Sequence, residues 1–414
     1  MSRKLSSSID IAEFLSAFEL HGTAQRTRVE HVTLERHRIA KFVNEFWTSR
    51  QRQAASIHEV AYRACFKPQL PRFFIMLLTK PGDVVYDPFS GRGTTMLEAG
   101  LLGRNVIAND INPLSAILSS PRFFIPDLEM MANRLSEITR TRKKETSIDL
   151  SMFYHPDTLR EIISLRAYLL ERDASSRADH LDAWIRMVAT NRLTGHSSGF
   201  FSVYTLPPNQ AVSAHSQKKI NAKRNQTPEY RDTRAIILKK SRQLVGKLSA
   251  EEIECLQNAG KHARFYSTDA RHTRKISANS VQLSVTSPPF LDVVQYARDN
   301  WLRCWFNGID SEEIAEKITT PRTIEEWSAV MQDVFHELYR ITRHGGWVAF
   351  EVGEVRQGKI KLDEHVVPLG LKAGFECCGI LVNQQTFTKT ANIWGVKNNA
   401  RGTNTNRIVM FCKE

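Results

Sequence analysis

The segment Val84-Val85-Tyr86-Asp87-Pro88-Phe89-Ser90-Gly91-Arg92-Gly93-Thr94-Thr95 constrains this chain more than any other. An apolar strand runs through a glycine-rich turn into an amphipathic helix over residues 96–102, so backbone can approach a ligand at a helix N-terminus. A second apolar strand follows and ends at Asp110, 23 residues after Asp87. That is about one strand–helix unit, which sets the Asp110 carboxylate where it can accept hydrogen bonds from ribose hydroxyls. A G-x-G alone says little, because glycine turns end many strands that bind nothing. The fuller string excludes a phosphate loop, whose G-x-x-x-x-G-K-[ST] pattern needs a lysine that is missing here. A carboxylate facing the turn repels phosphate and attracts a cationic amine or sulfonium. That chemistry points to S-adenosylmethionine rather than to a dinucleotide.

From Val84 onward short apolar strands alternate with helical stretches, which predicts an α/β fold with a doubly wound, Rossmann-like sheet. Seven strands are read, at 84–89, 105–110, 264–268, 281–287, 347–352, 375–382 and 407–412. They place the main domain in residues 58–126 and 264–414. Residues 1–57 read as a helical arm, from the spacing of Ile11, Phe14, Leu15 and Phe18 and of Ile39, Phe42, Val43, Phe46 and Trp47. Residues 127–263 form an insertion too long for an ordinary connection, and are expected to be a structure of their own. Two helical patterns mark its first half, one through Leu159, Ile162, Ile163, Leu165 and Leu169, the other through Leu181, Trp184, Ile185 and Val188. Its second half, 196–247, is polar and basic.

Lys and Arg number 57 against 44 Asp and Glu, a net charge of +13 that favours a polyanionic partner, nucleic acid first, over an acidic protein. The alternative, that the excess only keeps the protein soluble, stays open on charge alone. The six cysteines form no C-x-x-C pair, so they read as reduced thiols of a cytoplasmic protein rather than as a zinc ribbon or disulfide framework. No signal segment and no run of 18 apolar residues is seen, and neither a membrane nor a metal is expected.

Asp87-Pro88-Phe89-Ser90-Gly91-Arg92-Gly93-Thr94-Thr95 is similar to motif I of the DNA amino-methyltransferases, and Phe66-Lys67-Pro68-Gln69-Leu70-Pro71 resembles their motif X. The resemblance implies that Lys67 and Pro68 help hold the methionine end of S-adenosylmethionine. It further implies cofactor contacts from Asp87, Pro88, Phe89, Gly91, Gly93, Thr94, Thr95, Asp110 and Ile111, with Asp269 near the adenine.

The strand over 281–286 runs straight into Ser287-Pro288-Pro289-Phe290. Two prolines fix φ and remove N–H donors, so the turn is stiff and its carbonyls project as acceptors. An exocyclic amine needs that arrangement. Its lone pair is conjugated into the base, and acceptors on both N–H groups, the Ser287 hydroxyl and a Pro288 carbonyl, help the nitrogen pyramidalise toward a methyl sulfonium. Phe290 would stack on the base. A proline-stiffened turn ending a buried strand is the bland alternative, and the position of Asp269, 18 residues upstream at the end of the preceding strand, favours the catalytic one.

Ser-Pro-Pro-Phe resembles motif IV of the cytosine-N4 enzymes, whereas adenine-N6 enzymes usually carry Asp or Asn first. A cytosine-C5 enzyme would need a nucleophilic thiolate, usually in a Pro-Cys dipeptide, and none occurs. The stretches 292–296 and 300–303 resemble the family's sequence just beyond motif IV, with Tyr296 read as core. Residues 384–402 read as a loop over the active-site edge.

The resemblance thus implies a site-specific DNA-methyltransferase (cytosine-N4-specific), with double-stranded DNA as partner and a cognate restriction endonuclease as a second partner to test for. Adenine-N6 methylation, RNA methylation and an inert nucleic-acid-binding fold stay open. Ten Lys or Arg within 215–247, against Glu229 and Asp232, mark the DNA-contacting element, with Lys218, Lys219, Lys223, Arg224, Arg231 and Arg234 as its candidates. The family usually carries its recognition region elsewhere, between motifs III and IV or after VIII.

Overall fold

The computed structural model describes residues 7–20, 26–48, 54–62, 65–139, 148–206, 211–289, 299–319, 321–355, 360–384 and 405–414. Phe290, Tyr296 and nearly all of the 384–402 loop lie outside the described residues.

One sheet carries nine strands: β1 Arg28–Leu34, β2 His37–Asn44, β3 Val84–Asp87, β4 Asn105–Asn109, β5 Arg264–Tyr266, β6 Val281–Thr286, β7 Thr342–Val352, β8 Glu376–Gln384 and β9 Thr405–Lys413. Their order is β1-β2-β8-β9-β7-β6-β3-β4-β5. Helices up to the insertion are α1 Ser8–Ser16, α2 Gln69–Leu78, α3 Thr94–Leu101 and α4 Leu114–Ser119. The insertion holds α5 Leu128–Glu137, α6 Pro156–Ala174, α7 His180–Arg192, α8 Ala214–Arg224, α9 Thr233–Val245 and α10 Ala250–Gly260. Then come α11 Trp301–Asn307, α12 Ser311–Lys317, α13 Ile324–Ile341 and α14 Leu362–Ala373.

β3 pairs in parallel with both β4 and β6. The chain leaves β3 for β4 and β5 on one side and returns to β6 and β7 on the other. This reversal opens a crevice at the carboxyl ends of β3 and β6, where open α/β sheets bind ligands.

The seven expected strands are present, and the sheet has nine because residues 28–44, expected in a helical arm, form a hairpin instead. β2 pairs in parallel with β8, extending the sheet. Its faces enter two cores: Phe42 joins the cluster containing Val85 and Leu97, while Ile39 and Val43 join the one containing Phe335 and Phe350. A strand apolar on both faces imitates helical spacing. The turn carried no recognisable signal either, since Leu34 pairs with His37 across Glu35-Arg36, with Glu35 at φ 53°. α1 does form, capped by Ser7 and burying Ile11 and Leu15.

The insertion is not a structure of its own. Leu165, Trp184, Ile185, Val188, Ile237 and Leu244 share one continuous core with Val85, Val106 and Leu283 of the sheet. α10 packs on α3 and α7 on α4, so the apolar faces of the inserted helices join the layer that covers the sheet.

Candidate active site

β3 is buried to its end and delivers Asp87 into the crevice. The turn that follows closes on Gly93, which caps α3 at φ 76° and ψ 36°. A Cβ there would stand 2.5 Å from Ser119 Cβ, so only glycine fits on both counts. The Gly91 N–H donates to Asp110 Oδ2 at 2.9 Å, and the Asn112 N–H donates to Oδ1 at 2.9 Å. Asp110 is thus fixed at the end of β4 with its remaining lone pairs toward the cleft.

Asp87 joins the two halves of the site. Its Oδ1 accepts from Thr286 Oγ1 at 2.6 Å and from the Phe89 N–H at 3.1 Å. Thr286 is the last residue of β6, immediately before Ser287, so the glycine turn and the proline corner are tied together. Burial pushes the Asp87 carboxyl up to about 7, against the bonds from Thr286, Phe89 and Thr95. Burial also raises Asp110, to about 6. Two desolvated carboxylates facing one cleft favour a cation there.

One cleft is lined by Asp87, Pro88, Phe89, Gly91, Thr94, Asp110, Ile111, Asp269, Ser287 and Pro289, all singled out from sequence. Gly93 and Thr95 stand behind it, Thr95 donating to the Val285 carbonyl at 3.1 Å. Lys67 and Pro68 are not in its wall; Tyr62, Cys65 and Phe66 line that end instead, and Pro68 caps α2. Asp269 is held by Arg271, whose Nε lies 3.0 Å from each carboxylate oxygen and whose Nη2 lies 2.6 Å from Oδ2. These bonds, working against its burial, hold Asp269 below its ordinary value.

The corner rests on residues that the sequence reading missed. Glu351, on β7, is hydrogen-bonded to Ser287 and accepts from Asn406 Nδ2 at 3.0 Å; burial raises its carboxyl above the usual range. Trp327 Nε1 donates to the Pro289 carbonyl at 3.0 Å. An acid inside the apolar run 347–352 was a usable signal for Glu351; Trp327 offered none. Asn383, near the end of β8, is fully buried and accepts from the N–H groups of Phe46 and Trp47 at 2.7 and 3.2 Å, an internal tie to the N-terminal hairpin.

The basic candidates divide. Lys218, Lys219 and Lys223 are exposed on α8, with Lys218 3.7 Å from Asp149, and Arg224 lies 3.8 Å from the Tyr204 ring centre. α8 is docked by amides: Gln217 Nε2 donates to the Tyr204 carbonyl at 3.0 Å and Asn221 Nδ2 to the Met152 carbonyl at 2.8 Å. Arg231 and Arg234 are half-buried and donate to the carbonyls of Ser197 and Ile138 at 2.9 and 2.5 Å. The segment leading into α8 is tied to the start of α11, since the Ala211 N–H donates to the Asp299 carbonyl at 3.2 Å and Trp301 Nε1 to the Val212 carbonyl at 3.3 Å. Among the described residues, no helix is long and apolar enough to cross a membrane, and no cluster of three metal-ligating side chains occurs.

Residues 20–116 match the DNA methylase family. The chain is similar to the type II methyltransferase M.BsoBI of Geobacillus stearothermophilus, 26% identical over 320 residues, which is 70% of this chain and 61% of that protein. It is also similar to the type II methyltransferase M.PvuII of Proteus hauseri, 34% identical over 91 residues, or 22% of this chain and 26% of the relative. A solved DNA modification methylase of Thermus thermophilus is 22% identical over 35% of this chain and 50% of its own, with a TM-score of 0.22. The chain therefore spans about 61% of the length of the M.BsoBI relative. DNA methylases are thus the proteins that this chain is similar to in sequence.

Proposed function

We propose that this protein transfers a methyl group from S-adenosylmethionine to the exocyclic N4 amine of an everted cytosine in duplex DNA. The observation that carries the reading is the 2.6 Å bond from Thr286 to Asp87, which ties the glycine turn to the corner whose Ser287 and Pro289 line the same cleft.

The residues present fit the cofactor. The carboxyls of Asp87 and Asp110 are both raised by desolvation, so a cation in the cleft would favour their ionised forms, and Asp110 stands one strand away, where a ribose diol would meet its free lone pairs. Bound there, S-adenosylmethionine supplies an electrophilic methyl group on a sulfonium. The Ser287 hydroxyl donates a hydrogen bond to the Glu351 carboxylate, so the lone pairs of its oxygen remain for the substrate amine. With the Pro288 carbonyl it accepts the two N–H groups and draws the nitrogen out of conjugation. Orientation is then the main catalytic contribution. Cys65 lines the cleft, and burial pushes its thiol up, which disfavours the thiolate that cytosine-C5 chemistry needs.

Everting the base costs about a few kcal/mol of stacking. The exposed cations of α8 offset this by phosphate contact, which makes the inserted region 127–263 the target-recognition element. The type II names of the relatives make a cognate restriction endonuclease the partner to seek. The test is incubation of the purified chain with methyl-labelled cofactor and matched DNA and RNA duplexes. Label in DNA is expected; label in RNA alone, or tight DNA binding without cofactor binding, refutes the proposal.

A further inference from the structure

The end of β6 is fastened by three different elements. Thr286 bonds to Asp87 of β3, Ser287 to Glu351 of β7, and the Pro289 carbonyl to the indole of Trp327 on α13. Trp327 is 1% exposed, and its ring also lines the cleft. Pro288 and Pro289 have no N–H, so the two prolines can be hydrogen-bonded only by donors that reach their carbonyls. Among the described residues one donor does so, and it takes Pro289. No described donor reaches Pro288.

The torsions say what that bond controls. Both φ angles are fixed by the rings, and the ring of Pro289 restricts ψ of Pro288. The remaining soft torsion is ψ of Pro289, the angle that aims its carbonyl and the exit of the chain toward Phe290. The bond to Trp327 fixes that angle.

We propose that Trp327 is a positioning residue for methyl transfer: by occupying the Pro289 carbonyl it locks the last free torsion of the corner and leaves the Pro288 carbonyl, with Ser287 Oγ, to receive the amine. The inference rests on the amino-methyltransferase reading above. Without the indole N–H, the Pro289 carbonyl is free to swing and compete for the substrate, and the exit toward Phe290 loosens. The same ring forms part of the cleft wall, so one side chain links the wall to the corner.

The test uses the full chain with Trp327→Phe, and with Trp327 replaced by a benzothienyl analogue that keeps the shape of indole but lacks its N–H. Loss of one hydrogen bond at the corner should lower kcat about tenfold. Cofactor affinity, measured calorimetrically, and the melting temperature of the analogue protein should stay at wild-type values. Independently, the Trp327 indole proton of the wild-type chain should exchange slowly with solvent. Rapid exchange, or wild-type kcat in the analogue protein, overturns the inference while leaving the methyltransferase reading intact. A wild-type chain that methylates no DNA, with the indole proton protected, overturns the reading and the inference with it.

Discussion

Cofactor binding should weaken steeply as pH falls through 7, and the structure sets the size of the effect. In the free protein, burial holds Asp87 at about 7 and Asp110 at about 6. A sulfonium and a ribose diol both favour the ionised carboxylates, so each must lose its proton before the cofactor docks fully. Each carboxyl then weakens binding up to about tenfold per pH unit below its own value. Asp87 contributes first and Asp110 joins below about 6, so the dissociation constant should rise roughly 100-fold between about pH 7.5 and about 5.5. Calorimetry at several pH values, in buffers of different ionisation enthalpy, reads both the affinity and the protons released. Asp87→Asn should flatten the upper part of the profile. A wild-type affinity that changes less than threefold over this range would refute the claim that two raised carboxylates receive the cofactor.

The same burial has a stability consequence, with the opposite sign to that of a salt-bridged acid. A carboxyl raised in the fold stabilises it below its ordinary value of 3.8, and that stability is lost as pH rises to about 7. Above pH 7, Asp87→Asn should therefore stabilise the free protein by about 2–3 kcal/mol, after subtracting the weakened bond from Thr286, and weaken cofactor binding without abolishing it; thermal melts at pH 8 check this. Ser287→Ala should lower kcat roughly 10- to 100-fold at unchanged cofactor affinity, seen by single-turnover transfer and calorimetry. Glu351 is raised by burial, so turnover at saturating cofactor should fall on the acid side as its carboxyl gains a proton and ceases to hold the Ser287 hydroxyl as a donor; Glu351→Gln should remove that limb of the pH profile. Replacing Lys218, Lys219 and Lys223 by Glu should weaken DNA binding, with the slope of log affinity against log salt falling by about 3 units, which filter binding at several salt concentrations measures.

What the sequence disclosed was local, and what it hid was distant. The turn from Asp87 to Thr95 and the Ser-Pro-Pro corner are each written in consecutive residues, so their strands and much of the cleft wall could be named beforehand. The hairpin at 28–44 escaped because β2 is apolar on both faces and Glu35-Arg36 is an unusual turn pair. Glu351 and Trp327 escaped for another reason. Each meets the corner only because β7 pairs with β6 and α13 packs nearby; the acid within the apolar run 347–352 marks Glu351 as unusual but does not name its partner, and Trp327 carries no local mark. Lys67 shows the converse: its motif predicted a cofactor contact, yet the cleft wall is made by its neighbours Tyr62, Cys65 and Phe66. Charge density likewise marked the basic insertion but not which cations face solvent, and Arg231 and Arg234 turned inward to carbonyls.

The most direct measurement is nucleoside mass spectrometry on plasmid DNA recovered from cells that express the chain. N4-methylcytosine confined to one sequence context is the predicted result. N6-methyladenine in its place would contradict the cytosine assignment that rests on Ser287, and unmodified DNA would contradict methyl transfer altogether.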